Sequence, residues 1–115
     1  MGVTVTFDKE TVKMRLKAAN SKALFITSEQ ALEDCNYYCK EDQEGLINSS
    51  LTASEPEKGK LVWEEPYARK QYYLDSASHD KNPNAQKMWA HKAHSVHGKE
   101  WLEIFRKAFK KEAAP

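Results

Sequence analysis

Leu51-Thr52-Ala53-Ser54-Glu55-Pro56-Glu57-Lys58-Gly59-Lys60-Leu61-Val62-Trp63-Glu64 is the stretch on which the fold turns. Its centre, residues 55–60, concentrates Pro and Gly, which preset and permit the backbone angles of a chain reversal. The flanks, residues 51–54 and 60–64, then read as the two arms of an antiparallel hairpin. A further strand is expected at Val3-Thr4-Val5-Thr6-Phe7, where β-branched and aromatic residues alternate. Between them, Asp8 suits a helix N-cap. From Lys9 to about Lys40, the apolar residues Val12, Leu16, Ala19, Ala23, Ile26, Ala31, Leu32 and Cys35 recur near the helical period, with one possible break at Asn20-Ser21. Residues 41–45 close this long amphipathic helix as a polar turn. Residues 46–51 form a helical turn leading into the first hairpin arm.

Beyond the hairpin, Pro66 favours a helix start, because its missing N–H costs nothing in the first turn, so a short helix is expected over 66–74. Residues 75–84, ending in Asn82-Pro83-Asn84, lack apolar periodicity and read as a surface loop. Two helices follow, 85–93 and 99–111, flanking Gly98. The second carries an apolar stripe of Trp101, Ile104, Phe105, Ala108 and Phe109. Residues 112–115 read as a fraying tail.

With 115 residues, 40% hydrophobic and 30% charged, the chain fits one domain spanning 1–115 that buries roughly two thirds of its unfolded surface. Eighteen basic against seventeen acidic residues leave a net charge of +1. That balance demands neither a nucleic acid nor a membrane, and any basic patch must be local. No apolar run approaches the roughly 20 residues of a membrane span, and the start lacks the layout of a signal peptide. A soluble protein made in a cytoplasm is expected.

The search for catalytic chemistry is mostly negative. There is no Gly-rich phosphate loop, nucleophile elbow, His-Glu-x-x-His or calcium loop, so neither an enzyme nor a cofactor is expected. Cys35 and Cys39 sit four apart in the long helix, share a face and rarely reach disulfide geometry there, so two reduced packing thiols are expected. The alternatives are half of a zinc site completed by His91 and His94, or a Cys35 nucleophile, and nothing local suggests either. Gly2 fits a loose myristoylation pattern, which the strand alternation already explains, and Asn48-Ser49-Ser50 is a formal glycosylation sequon. Lys99, Arg106, Lys107, Lys110 and Lys111 offer phosphate contacts that Glu100, Glu103 and Glu112 dilute, and a solvated face is favoured. His79, His91, His94 and His97 read as exposed residues, with pH sensing the alternative.

Aromatics crowd the stretch from Trp63 to Tyr73 and return at Trp89 and Trp101; such clusters mark a core edge or an interface. The spacing Trp63-x-x-Pro66-Tyr67-Ala68-Arg69-x-x-Tyr72-Tyr73, followed by Pro83, Ala85, Trp89, Ala93 and Trp101, resembles the minor capsid proteins of tailed phages and prophages. Leu46 and Ser49, after Gly45, match that family's turn and Leu-x-x-Ser. The resemblance covers about 42–109. It implies an α+β fold, in which a long N-terminal helix and a C-terminal helix pack on a small antiparallel sheet. It also implies a structural virion protein of the neck, assembled in the host bacterial cytoplasm as a ring of six copies. That ring would join the DNA-filled head to the tail, between a head-closure or adaptor protein and a tail terminator or tail-tube protein. DNA would pass through its lumen without sequence-specific binding.

Trp63, Tyr67, Tyr72, Trp89 and Trp101 are expected to fix the fold where helices meet the sheet. Arg69, beside Tyr67 and Tyr72, is expected in a cation-π or hydrogen-bonded contact across a subunit boundary or, equally, in an internal salt bridge. Asp75, His79, Asp80 and Lys81 form a candidate docking loop. The alternative function is a small DNA-binding regulator that uses the basic C-terminal helix.

Overall fold

The computed structural model describes residues 9–41, 45–75, 79 and 82–114. Helix α1, Lys9–Tyr38, runs 30 residues without a break at Asn20-Ser21. Then come α2, Leu46–Ala53, a single 3-10 turn, Pro56–Lys58, and the short α3, Ala68–Tyr73. The last is α4, Trp89–Ala113, 25 residues long. At 1.5 Å per residue the two long helices measure about 45 and about 37 Å.

Helices α1 and α4 lie side by side and antiparallel. The Trp101 indole N–H donates to Asp34 Oδ2 at 2.7 Å, and Arg15 donates to the Ala114 carbonyl at 3.2 Å, near the other end. Small residues let the pair approach closely: Ala19 and Ala23 of α1 and Ala93 of α4 are buried. The molecule measures 76 × 24 × 18 Å with a radius of gyration of 19.2 Å, against about 13 Å for a compact chain of this length. It is a rod, with α2, α3 and the intervening segments gathered at one end into a hub. The core lies there: Cys35, Cys39, Leu46, Ala68, Trp89 and Ala93 are buried together, with Trp63, Tyr67, Tyr72 and Trp101 packed against them.

The antiparallel sheet does not exist among the described residues, and the fold is helical rather than α+β. Residues 3–7, read as a strand, and Asp8 lie outside the described residues. The turn at 55–60 does form. Gly59 takes φ +70°, and Glu55 and Lys60 exchange two backbone hydrogen bonds of 2.7 and 3.1 Å, but this is one isolated bridge. Residues 51–53 are helical because α2 buries Leu46 and Ser50, one turn apart, against the hub. Residues 61–64 have no strand beside them. Serine hydroxyls of the 49–54 segment take their amides instead: Val62 N donates to Ser54 Oγ at 2.8 Å and Glu64 N to Ser49 Oγ at 3.2 Å. The reversal was legible, whereas the partner of residues 61–64 is a helix and its C-cap.

Three boundaries also differ. Helix α3 spans 68–73 rather than 66–74, and α4 runs through Gly98 as one helix and extends to Ala113. The bare Gly98 leaves room for the His94 ring, whose atoms lie 3.2 Å from where a Cβ would stand. Residues 85–88 turn rather than coil into helix, with Met88 at φ +52°, a left-handed angle that ends at the first residue of α4.

Candidate functional site

Trp89, 1% exposed, is the centre of the hub. Its ring meets Trp63 edge-on at 5.9 Å and Tyr72 at 4.7 Å between centroids. Trp63 is placed by Asn36 of α1, whose Oδ1 accepts the indole N–H at 3.0 Å while its Nδ2 donates to Ser50 Oγ at 2.9 Å. One amide therefore joins α1, α2 and the extended segment. Ser49 adds a second link, donating to the Leu46 carbonyl at 2.6 Å while accepting from Glu64 N.

Tyr72 starts α4. Met88, the N-cap, has no oxygen to offer the orphan amides of the first turn, and the Tyr72 hydroxyl accepts the His91 N–H at 3.2 Å in its place. The same hydroxyl pairs with His91 Nδ1, and Met88 N donates to the Tyr72 carbonyl at 2.6 Å. Burial holds the Tyr72 phenol above its ordinary pKa, so it remains a neutral donor.

The aromatic motif has two faces. Trp63, Tyr67, Ala68 and Tyr72 turn inward against the core. Pro66, Arg69, Lys70 and Tyr73 turn outward and, with Leu74, line a shallow depression of about 600 Å³; Tyr73 is 60% exposed. On α3 this is the helical period at work, with 68 and 72 on one side and 69 and 73 on the other. Arg69 thus shares its face with Tyr73 rather than with Tyr67 and Tyr72, and no ion pair holds it among the described residues. Trp101 stands apart from the motif, two turns along α4 from His94, with ring centroids 5.9 Å apart. Its bond to Asp34, which also accepts from Gln30 at 3.1 Å, ties the two long helices together.

The 75–84 loop is pinned at its described ends. Asp75 pairs with Lys87 at 2.5 Å, which holds its carboxyl below the usual range. His79 donates from Nε2 to the Ala85 carbonyl at 3.1 Å. Asp80 and Lys81 lie outside the described residues. Asn82, which the surface-loop reading left at the exterior, is buried and closes the end of α1: its Nδ2 donates to the Tyr37 and Cys39 carbonyls at 3.0 and 2.8 Å, and its Oδ1 accepts Asn84 N at 3.0 Å. Nearby, the buried Lys40 ammonium donates to the Leu74 carbonyl. The signal for Asn82 was present in Asn-Pro-Asn, a composition suited to satisfying backbone groups at a turn.

Chemically, these contacts pack and cap. Burial, aided by the neighbouring Asp34, pushes the Cys35 thiol up to about 12, where it holds its proton and is no nucleophile at neutral pH. Cys39 is also buried and free of any disulfide, and its thiol faces the Lys40 carbonyl at 3.3 Å. Among the described residues no three His, Cys, Asp or Glu side chains converge as a metal set, and no helix is long and apolar enough to cross a membrane. A family model described as "Minor capsid protein" matches residues 3–109. No curated protein and no solved structure matches the chain.

Proposed function

The chain belongs to the minor capsid protein family, structural components of the phage virion, and from that premise we propose that it is a neck subunit, assembled as a ring of six copies that joins the DNA-filled head to the tail. The observation that carries this reading is the shape. A 76 Å rod only 24 Å wide, folded tightly at one end and drawn out as two helices at the other, suits a subunit that reaches across its neighbours. The inward half of the aromatic motif is spent on the hub, leaving Pro66, Arg69 and Tyr73 for contact with other proteins. In this reading the protein is not an enzyme. Its partners are a head-closure or adaptor protein on one side and a tail terminator or tail-tube protein on the other, and the 75–84 loop docks on the adjoining ring. DNA crosses the lumen without sequence readout.

Native mass spectrometry over a concentration series, with and without a head-closure or tail-tube protein, tests the reading. A closed oligomer, formed alone or on addition of the partner, supports it and gives its symmetry. A persistent monomer indifferent to both partners overturns it.

A further inference from the structure

The near-zero net charge conceals an uneven distribution, with one basic end. Residues 9–22 and 106–113, brought together by the antiparallel pairing of α1 and α4, hold nine basic and two acidic side chains. The rest of the chain holds nine basic and fifteen acidic. The basic end is also apolar: Val12, Met14 and Leu16 are 44, 70 and 47% exposed. A polyanion would use only the charges, whereas this mixture suits a surface that is acidic and apolar at once.

The molecule presents such a surface. Leu32 of α1, Ile47 and Leu51 of α2 and Pro56 of the 3-10 turn floor a groove of about 400 Å³, with Glu29 and Glu33 on its rim. Glu29 and Glu33 stand one helical turn apart, exposed, with no ion pair among the described residues. Lys13 and Lys17 have the same spacing and are likewise exposed and unpaired among the described residues. The two pairs are sixteen residues apart on one unbroken helix, about 24 Å, too far to meet within a molecule.

We infer that the basic, apolar N-terminal half of α1 in one copy docks into the Glu29–Glu33 groove of a second copy. The contact joins two different surfaces, which is the heterologous geometry a ring requires. It rests on the ring reading above and names the faces that build the ring. Opposed i, i+4 charge pairs set the register, while Val12 and Leu16 meet the apolar floor.

Charge exchange tests this. Sedimentation velocity is run on wild type and on K13E/K17E, E29K/E33K and the fourfold variant, with circular dichroism to show that each folds. Each double variant is expected to associate at least about tenfold more weakly than wild type, and the fourfold variant, with both signs reversed, to recover. Raising NaCl from about 50 to about 500 mM is expected to weaken wild-type association by a similar factor. Double variants that assemble like wild type, or a fourfold variant that fails to recover, would overturn the pairing and leave the ring standing. So would a K13E/K17E variant that assembles normally but loses binding to a DNA duplex, which would give the basic end to nucleic acid. A wild type that stays monomeric even with head-closure and tail-tube proteins added would remove the ring itself.

Discussion

Helices α1 and α4 pass through two regions that could hardly differ more in how they are covered. In the hub, Trp63, Tyr72 and buried residues from the end of α1, α2 and α3 close around Trp89 until 1% of it is exposed. In the distal arm the same two helices have only each other. Ala19 and Ala23 are dry, yet Leu16, one helical turn before Ala19, and Val12, a turn further out, are nearly half exposed. Two helices bury only the seam between them, and a closed core needs a further layer. The arm's amphipathic pattern therefore implies a cover that the monomer lacks, whereas the hub closes over Trp89 and leaves open its surface groove.

That contrast is easiest to break at Trp89. Trp89→Ala should cost about 3–5 kcal/mol in urea unfolding, because it empties the space between Trp63 and Tyr72. A loss below about 1 kcal/mol would mean that the hub is no better packed than the arm. The next largest effect concerns Cys35. Above pH 9 an unfolded chain's thiol ionises while the buried one keeps its proton, so folded stability should fall as pH rises from about 9 to about 12. Cys35→Ala should flatten that slope relative to wild type; identical urea midpoints across the window in both proteins would place the thiol in water.

Asn82→Ala tests the hub's polar seal. It strands the Tyr37 and Cys39 carbonyls and should cost about 1–3 kcal/mol, read from the same unfolding curves. The smallest effect is expected in the arm. Leu16→Ala should change the unfolding free energy of the dilute monomer by no more than about 0.5 kcal/mol while weakening self-association in sedimentation. A monomer destabilised as strongly as by Trp89→Ala would show the arm to be closed already.

Local signals carried the reading of the sequence far. The helical period that α1 follows and the reversal at 55–60 both arise from residues near one another, where spacing and side-chain type suffice. The sheet was the failure, and an instructive one. Residues 61–64 follow a genuine reversal as a hairpin arm would, but the reversal states only that the chain turns back, not what its amides will meet. Here two of them meet Ser49 and Ser54. Gly98 misled in the opposite sense, since a glycine that ends many helices here makes room for His94 within one.

By itself, the sequence determined the long first helix, the reversal at 55–60 and the family the chain belongs to, because each of these is written in short-range periodicity or motif. Tertiary structure alone decided who meets whom. It set Asn82 against the end of α1, 43 residues away at Cys39. It joined Asp34 to Trp101, and it brought two basic segments more than eighty residues apart to one end of a rod whose net charge is +1. Such pairings depend on which distant surfaces exclude water together, and no local pattern specifies that choice.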